Sequence, residues 1–81
     1  MIEIKFDKES NRAIALNNEV VIGECNFVEE SNTWNIIHTE VDNSYQGQGI
    51  AKRLVDCIKE NANDKKLIAD CSYAKKVLEK L

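Results

Sequence analysis

Between His38 and Lys52 the chain reads H-T-E-V-D-N-S-Y-Q-G-Q-G-I-A-K: a strand-like run, a polar loop, and a Gly-x-Gly turn leading into helical spacing. A helix N-terminus leaves its first N–H groups without partners in the helix and carries about half a positive charge. Glycines ahead of it let a ligand approach the backbone closely, so the arrangement suits a phosphate or pyrophosphate. Gly47 and Gly49 suit a plain turn into a helix equally well. The following residues favour an anion. Lys52 and Arg53 occupy the first helical turn, where the macrodipole disfavours cations, and no acidic residue follows Gly49 until Asp56. No G-K-[ST] follows, which excludes a nucleoside-triphosphatase loop, and the third glycine and distal acid of a dinucleotide fingerprint are absent.

Two further residue types stand out. His38 is the only histidine, with the one side chain whose reference pKa lies near neutrality; it reads either as a base or as a half-buried strand residue bonded to a neighbour. Cys71 ends an apolar run directly ahead of a helix, a place where thiol pKa values fall. Cys25 and Cys57 read as core residues and Trp34 as a packing aromatic.

The elements around these residues must position them. Ile2, Ile4 and Phe6 alternate with Glu3, Lys5 and Asp7, which predicts a half-buried strand. After a polar turn over Asp7–Asn11, Arg12–Leu16 predicts a second strand, and Asn17-Asn18 a hairpin turn with left-handed residues. Glu19–Phe27 predicts a third strand, with Val20 and Ile22 on one face and Val21, Cys25 and Phe27 on the other. Beyond a polar loop over Glu29–Thr33, Trp34–Val41 predicts a fourth. From Gly49, Ile50, Ala51, Leu54, Val55 and Ile58 fall at helical spacing, and Asn61–Asp64 ends that helix. Lys66–Cys71 predicts a short apolar strand, with Ser72 as N-cap of a final helix carrying Ala74, Val77, Leu78 and Leu81. The order ββββαβα predicts an α+β fold: a mostly antiparallel sheet whose fourth and fifth strands pair in parallel, with two helices.

Composition bounds the function. At 81 residues, 43% hydrophobic and 31% charged, one domain over residues 1–81 with one modest core is expected. The apolar runs are too short to span a bilayer, and no basic n-region or apolar h-region opens the sequence. The expectation is therefore a cytoplasmic protein with no membrane partner, monomeric or weakly homodimeric. A net charge of −3, from 11 basic against 14 acidic residues, argues against general nucleic-acid binding. Three cysteines without a C-x-x-C pair, beside one histidine, fit neither a disulfide framework nor a metal site, so no metal is expected.

Gln46-x-x-Gly49-x-Ala51 resembles the Q/R-x-x-G-x-G/A signature of the GNAT superfamily of acyl-CoA-dependent N-acetyltransferases. H-T-E-V before the loop, Q-G-Q-G-I-A-K-R-L-V through it and C-S-Y-A-K-K-V-L-E-K at the end extend the resemblance over Trp34–Lys80. They look like one branch, very small single-domain GNAT-like proteins described as predicted acetyltransferases; the first strands match by topology. The resemblance implies acetyl-CoA as co-substrate and an amine as acceptor. It implies that the amides of Gln48, Gly49, Ile50, Ala51 and Lys52 hold the CoA pyrophosphate, that Gln46 and Gly47 shape the approach, and that Arg53 reaches a phosphate of the adenosine end. In that family the pantetheine arm runs beside the fourth strand, so the backbone near Glu40 and Val41 would pair with it and polarise the thioester carbonyl. Glu40 lies on the strand that often supplies the family's base, with His38 on the same face. Tyr73 falls within a residue or two of the family's general-acid tyrosine. Cys71 lies close to the acyl group and has three open roles: accepting the acyl group covalently, lining the thioester pocket, or filling the core.

The sequence also departs from the family. Larger members carry helices between the first two strands and further strands after the last helix, and these bind the acceptor. Here Phe6 passes to Arg12 through a short turn. The expectation is a donor half with little acceptor half. Either the acceptor is presented on another macromolecule, or a partner chain completes the site, or the domain binds CoA without catalysis. An interaction domain that had lost its ligand would show erosion over Gln46–Lys52, and none is seen.

Overall fold

The structure, a computed structural model, describes residues 1–79. β1 (Ile2–Asp7), β2 (Arg12–Asn17), β3 (Val20–Glu30) and β4 (Thr33–Val41) are followed by a 3-10 turn (Asn43–Tyr45), α1 (Ile50–Ala62), β5 (Lys66–Ala69) and α2 (Ser72–Glu79). The sheet runs β1-β2-β3-β4-β5, antiparallel up to β4 and parallel between β4 and β5. This is the α+β order expected from the residue patterns. Leu81, expected on the last helix, lies outside the described residues.

The core lies on one face of the sheet. Ile50, Leu54, Val55, Ile58 and Ala62 of α1 pack on Ala13, Ala15, Phe27, Trp34 and Ile36, and Ala74 of α2 joins the same cluster. The two fully buried alanines of β2 leave room for α1. Phe6, Phe27 and Trp34 stack, with 4.3 Å between the Phe27 and Trp34 ring centroids. On the opposite face, which also exposes Val28 and Ile68, Arg12 bridges Asp7 at 3.2 Å and Glu24 at 3.1 Å.

Two breaks in register decide which side chains reach the site. β2 pairs Ala15 with Gly23 but Leu16 with Val21, so Ile22 is an extra residue in β3. It turns inward to share the core with Cys25 and Phe27, while Val21 is 49% exposed. That corrects the alternation expected from sequence. In β4, His38 pairs with Asn26 and Ile36 with Phe27, leaving Ile37 as the extra residue. Trp34 and Ile36 face the core, but beyond the bulge Thr39 and Val41 take that face, and His38 and Glu40 turn outward.

Three boundaries also move. β2 runs through Asn17, and the hairpin turn is made by Asn18 (φ 51°) and Glu19 (φ 68°), one residue later than expected. β3 and β4 extend to Glu30 and Thr33, so the expected loop shrinks to a tight turn with Ser31 at φ 53°. β5 stops at Ala69, and the Cys71 carbonyl accepts the Lys75 N–H at 2.9 Å, which makes Cys71, not Ser72, the residue capping α2.

Candidate active site

β4 and β5 pair only over Thr33–Ile36 and Lys66–Ala69. The Ile36 carbonyl then accepts the N–H groups of Asp70 (2.9 Å) and Cys71 (3.1 Å), and β4 continues to Val41 with no strand beside it on that edge among the described residues. A compact turn follows. Asp42 accepts the Ser44 N–H at 2.9 Å, and Gln46 Nε2 donates to the Val41 carbonyl at 3.3 Å and to Asn43 Oδ1 at 3.2 Å. Gly47 and Gly49 take φ of +82° and +75°, which explains both glycines. A methyl group built on either would meet nothing within 4 Å, so the space above them is open.

Gly49 is the N-cap of α1, and no side chain caps the helix. The first helical bond runs from the Arg53 N–H to the Gly49 carbonyl at 3.2 Å. The N–H groups of Gly49, Ile50, Ala51 and Lys52 therefore have no partner in the helix, and no acidic residue lies in the first turn.

This end of the helix opens on a cavity of about 430 Å³. Val41, Gln46, Gly47, Gly49, Ile50 and Ala51 of the expected CoA-binding set line it, together with Tyr73 and two residues the motif reading passed over, Thr39 and Tyr45. Gln48, Lys52 and Arg53 lie outside that lining. Lys52 pairs with Asp56 along the helix at 2.8 Å, and Arg53 makes no ion pair among the described residues. His38 and Glu40 stand together on the outer face, 3.8 Å apart. Glu40 also borders a second cavity of about 510 Å³ that shares Thr39, Val41 and Gln46 with the first. Among the described residues no three His, Cys, Asp or Glu side chains cluster as metal ligands, and no helix is long and apolar enough to cross a membrane.

Thr39 links two thiols. Its Oγ1 lies 3.4 Å from Cys25 Sγ and 3.6 Å from Cys71 Sγ. Burial works to raise the Cys71 thiol, but the Ala74 N–H, the Thr39 hydroxyl and the Tyr73 N–H together outweigh it and hold the thiol below its ordinary pKa. Burial pushes Cys25 up to about 11 and also raises Cys57. Because the thiolate is the nucleophile, iodoacetamide near neutral pH is expected to label Cys71 ahead of Cys25 and Cys57. In Thr39→Val, Cys71 labelling is expected to move to higher pH. Peptide mapping by mass spectrometry over a pH series checks both, and even labelling of all three thiols would contradict them.

A family model described as GCN5-related N-acetyl-transferase matches residues 11–81. Among solved structures, ribosomal-protein-alanine N-acetyltransferase from Brucella melitensis biovar Abortus 2308 is similar at 21% identity and TM-score 0.69, over 84% of this chain and 59% of that one. A probable acetyltransferase from meticillin-resistant Staphylococcus aureus is similar at 14% identity and TM-score 0.75, over 99% and 87%. PaiA N-acetyltransferase from Thermoplasma acidophilum, solved in complex with coenzyme A, is similar at 15% identity and TM-score 0.61, over 64% and 33%. At these identities the likeness is one of fold, and the chain spans less than two thirds of the Brucella and Thermoplasma proteins. No curated protein matches it.

Proposed function

We propose that this chain, which belongs to the GCN5-related N-acetyltransferase family, binds acetyl-CoA where β4 turns into α1 and transfers the acetyl group to an amine. The observation that carries the reading is the uncapped α1 N-terminus, free of carboxylates, opening on the cavity beside Gly47 and Gly49. The pyrophosphate takes the N–H groups of Gln48, Gly49, Ile50, Ala51 and Lys52, Gln46 and Gly47 shape the approach, and Arg53 serves the adenosine end. The free β4 edge from Ile37 to Val41 offers backbone groups to the pantetheine amides, directing the thioester toward Thr39, Tyr73 and Cys71. The likeness to an acetyltransferase solved with coenzyme A supports the choice of ligand.

In transfer, the amine nitrogen attacks the thioester carbonyl, the C–N bond forms and the C–S bond breaks. The amine gives up a proton and the departing thiolate takes one. Glu40 receives the proton from the side of the second cavity with His38 beside it, and Tyr73 supplies one to the thiolate. Cys71 either receives the acetyl group first, lines the thioester pocket or packs. The acceptor is an amine on a small molecule or on another macromolecule, and the setting is a cytoplasmic monomer or weak homodimer.

A CoA-binding module without catalysis is the second reading. The outward turn of His38 and Glu40 favours it, because neither side chain enters the cavity beside α1. Titration with CoA and acetyl-CoA, followed by backbone amide NMR, tests both. Amides from Gln46 to Arg53, with Val41 and Cys71, are expected to shift at micromolar ligand, and no shift at millimolar ligand would remove both readings. Release of free CoA in the presence of a panel of amines separates transfer from binding. Loss of that release in Cys71→Ala would place the thiol on the acyl path.

A further inference from the structure

We infer that Asn17, at the end of β2, is a positioning residue for the CoA loop, holding Tyr45 and through it the turn that leads to Gly47 and Gly49. The inference rests on the reading of that turn as the CoA site. Asn17 Nδ2 donates to Tyr45 Oη at 2.7 Å across 28 residues of chain, the shortest side-chain hydrogen bond among the described residues. The other polar side chains of the loop bond within it, Asp42 to Ser44 and Gln46 to Val41 and Asn43. Its other tie is backbone, from the Asp42 N–H to the Ile22 carbonyl at 2.7 Å. Both ties come from the β2–β3 hairpin. Tyr45 itself packs against the core and lines the cavity, so fixing its hydroxyl end fixes one wall of the site.

The hairpin holds Asn17 in that place at a conformational cost. The two turn residues, Asn18 and Glu19, are both left-handed, and a glutamate tolerates that region poorly. A turn over Asn17 and Asn18, which asparagine preference favours, would put Asn17 inside the turn. The observed turn leaves it as the last residue of β2, paired with Val20 and free to reach Tyr45. Backbone strain of this kind persists where surrounding contacts over-determine it.

The test is calorimetric titration of CoA into the wild type, Asn17→Ala, Tyr45→Phe and the double variant, with amide hydrogen exchange over Gln46–Gly49 in the ligand-free proteins. Each single variant is expected to weaken CoA roughly fivefold, and the double variant no further than either. Exchange in the loop is expected to quicken in both singles. Losses that multiply in the double variant, or singles that leave affinity and exchange unchanged, would overturn the inference. If the wild type binds no CoA, the reading of the site fails, and the exchange comparison alone decides whether Asn17 holds the loop. Should Asn17→Ala melt too low to titrate, the series is repeated with Glu19→Gly, which relieves the left-handed residue.

Discussion

Ala51→Glu is expected to raise the melting temperature slightly and to weaken CoA binding by about a hundredfold or more, because one carboxylate acts on two opposed terms. Ala51 is the second residue of α1, which has no capping side chain and no acid in its first turn, with Lys52 directly following. In the ligand-free protein a carboxylate there answers the partial positive charge of the helix end and gains about 0.5 kcal/mol, less a few tenths for the lower helix propensity of glutamate. With ligand, the same carboxylate would stand among the N–H groups proposed for the pyrophosphate and repel it. Differential scanning fluorimetry and calorimetric titration read the two effects separately. Ala51→Gln, which adds bulk without charge, is expected to retain much more of the affinity. Binding unchanged in Ala51→Glu would mean that the phosphates do not use this helix end. A fall in both stability and binding would point to steric damage instead.

The opposed signs also bear on why a helix should begin so poorly. Judged for stability alone, the Gly49 cap without a side-chain partner and the cationic Lys52 and Arg53 are unfavourable choices, and Lys52 recovers part of the loss through its pair with Asp56 at 2.8 Å. That is why this part of the site was legible in the sequence. A local rule is broken by residue type alone, at Gly47, Gly49, Lys52 and Arg53, and no tertiary information is needed to notice it. The strand order was legible for the opposite reason, since the period-two runs and the helical stripe obey their rules.

Thr39 in the cavity lining was not legible, nor was the outward turn of His38 and Glu40. Alternation along β4 carries Trp34 and Ile36 inward and would carry His38 and Glu40 with them. One extra residue, Ile37, reverses the phase and delivers Thr39 and Val41 instead. A bulge depends on what the neighbouring strand can pair with, so no local feature of I-I-H-T-E-V announces it. The same holds for Ile22 in β3. Asn17 was hidden differently: its residue type suits a turn so well that a turn accounted for it, and its contact lies with Tyr45 far along the chain. The thiol at Cys71 was recognisable as standing near a helix start, but its capping position and the Thr39 contact depend on where β5 stops.

Trp34→Ala is expected to cost a large share of the folding stability and to bring the urea midpoint far below that of the wild type. Trp34 is 3% exposed and stacks on Phe27 at 4.3 Å and on Phe6 at 5.8 Å, and it lies in the short stretch where β4 pairs with β5. Truncating a buried tryptophan costs about 3–5 kcal/mol, while a domain of this length has roughly 4–12 kcal/mol in all. A core packed on only one face of the sheet has little else to draw on. Trp34→Phe separates packing from polarity. The indole Nε1 is buried and makes no hydrogen bond of ordinary geometry, but it approaches the Glu29 carboxylate closely enough to lower that group's pKa, so the replacement loses ring volume and one loose polar contact. It is expected to cost about 1–2 kcal/mol, well below the alanine variant. Urea unfolding followed by circular dichroism measures both, since the variants lose the only tryptophan. Equal losses in Phe and Ala would mean that the contact between Nε1 and Glu29 is worth more than the stacked rings. A small loss in Ala would mean that the aromatic stack does not hold β4 against β5, and that the edge facing the proposed CoA site is fixed from elsewhere.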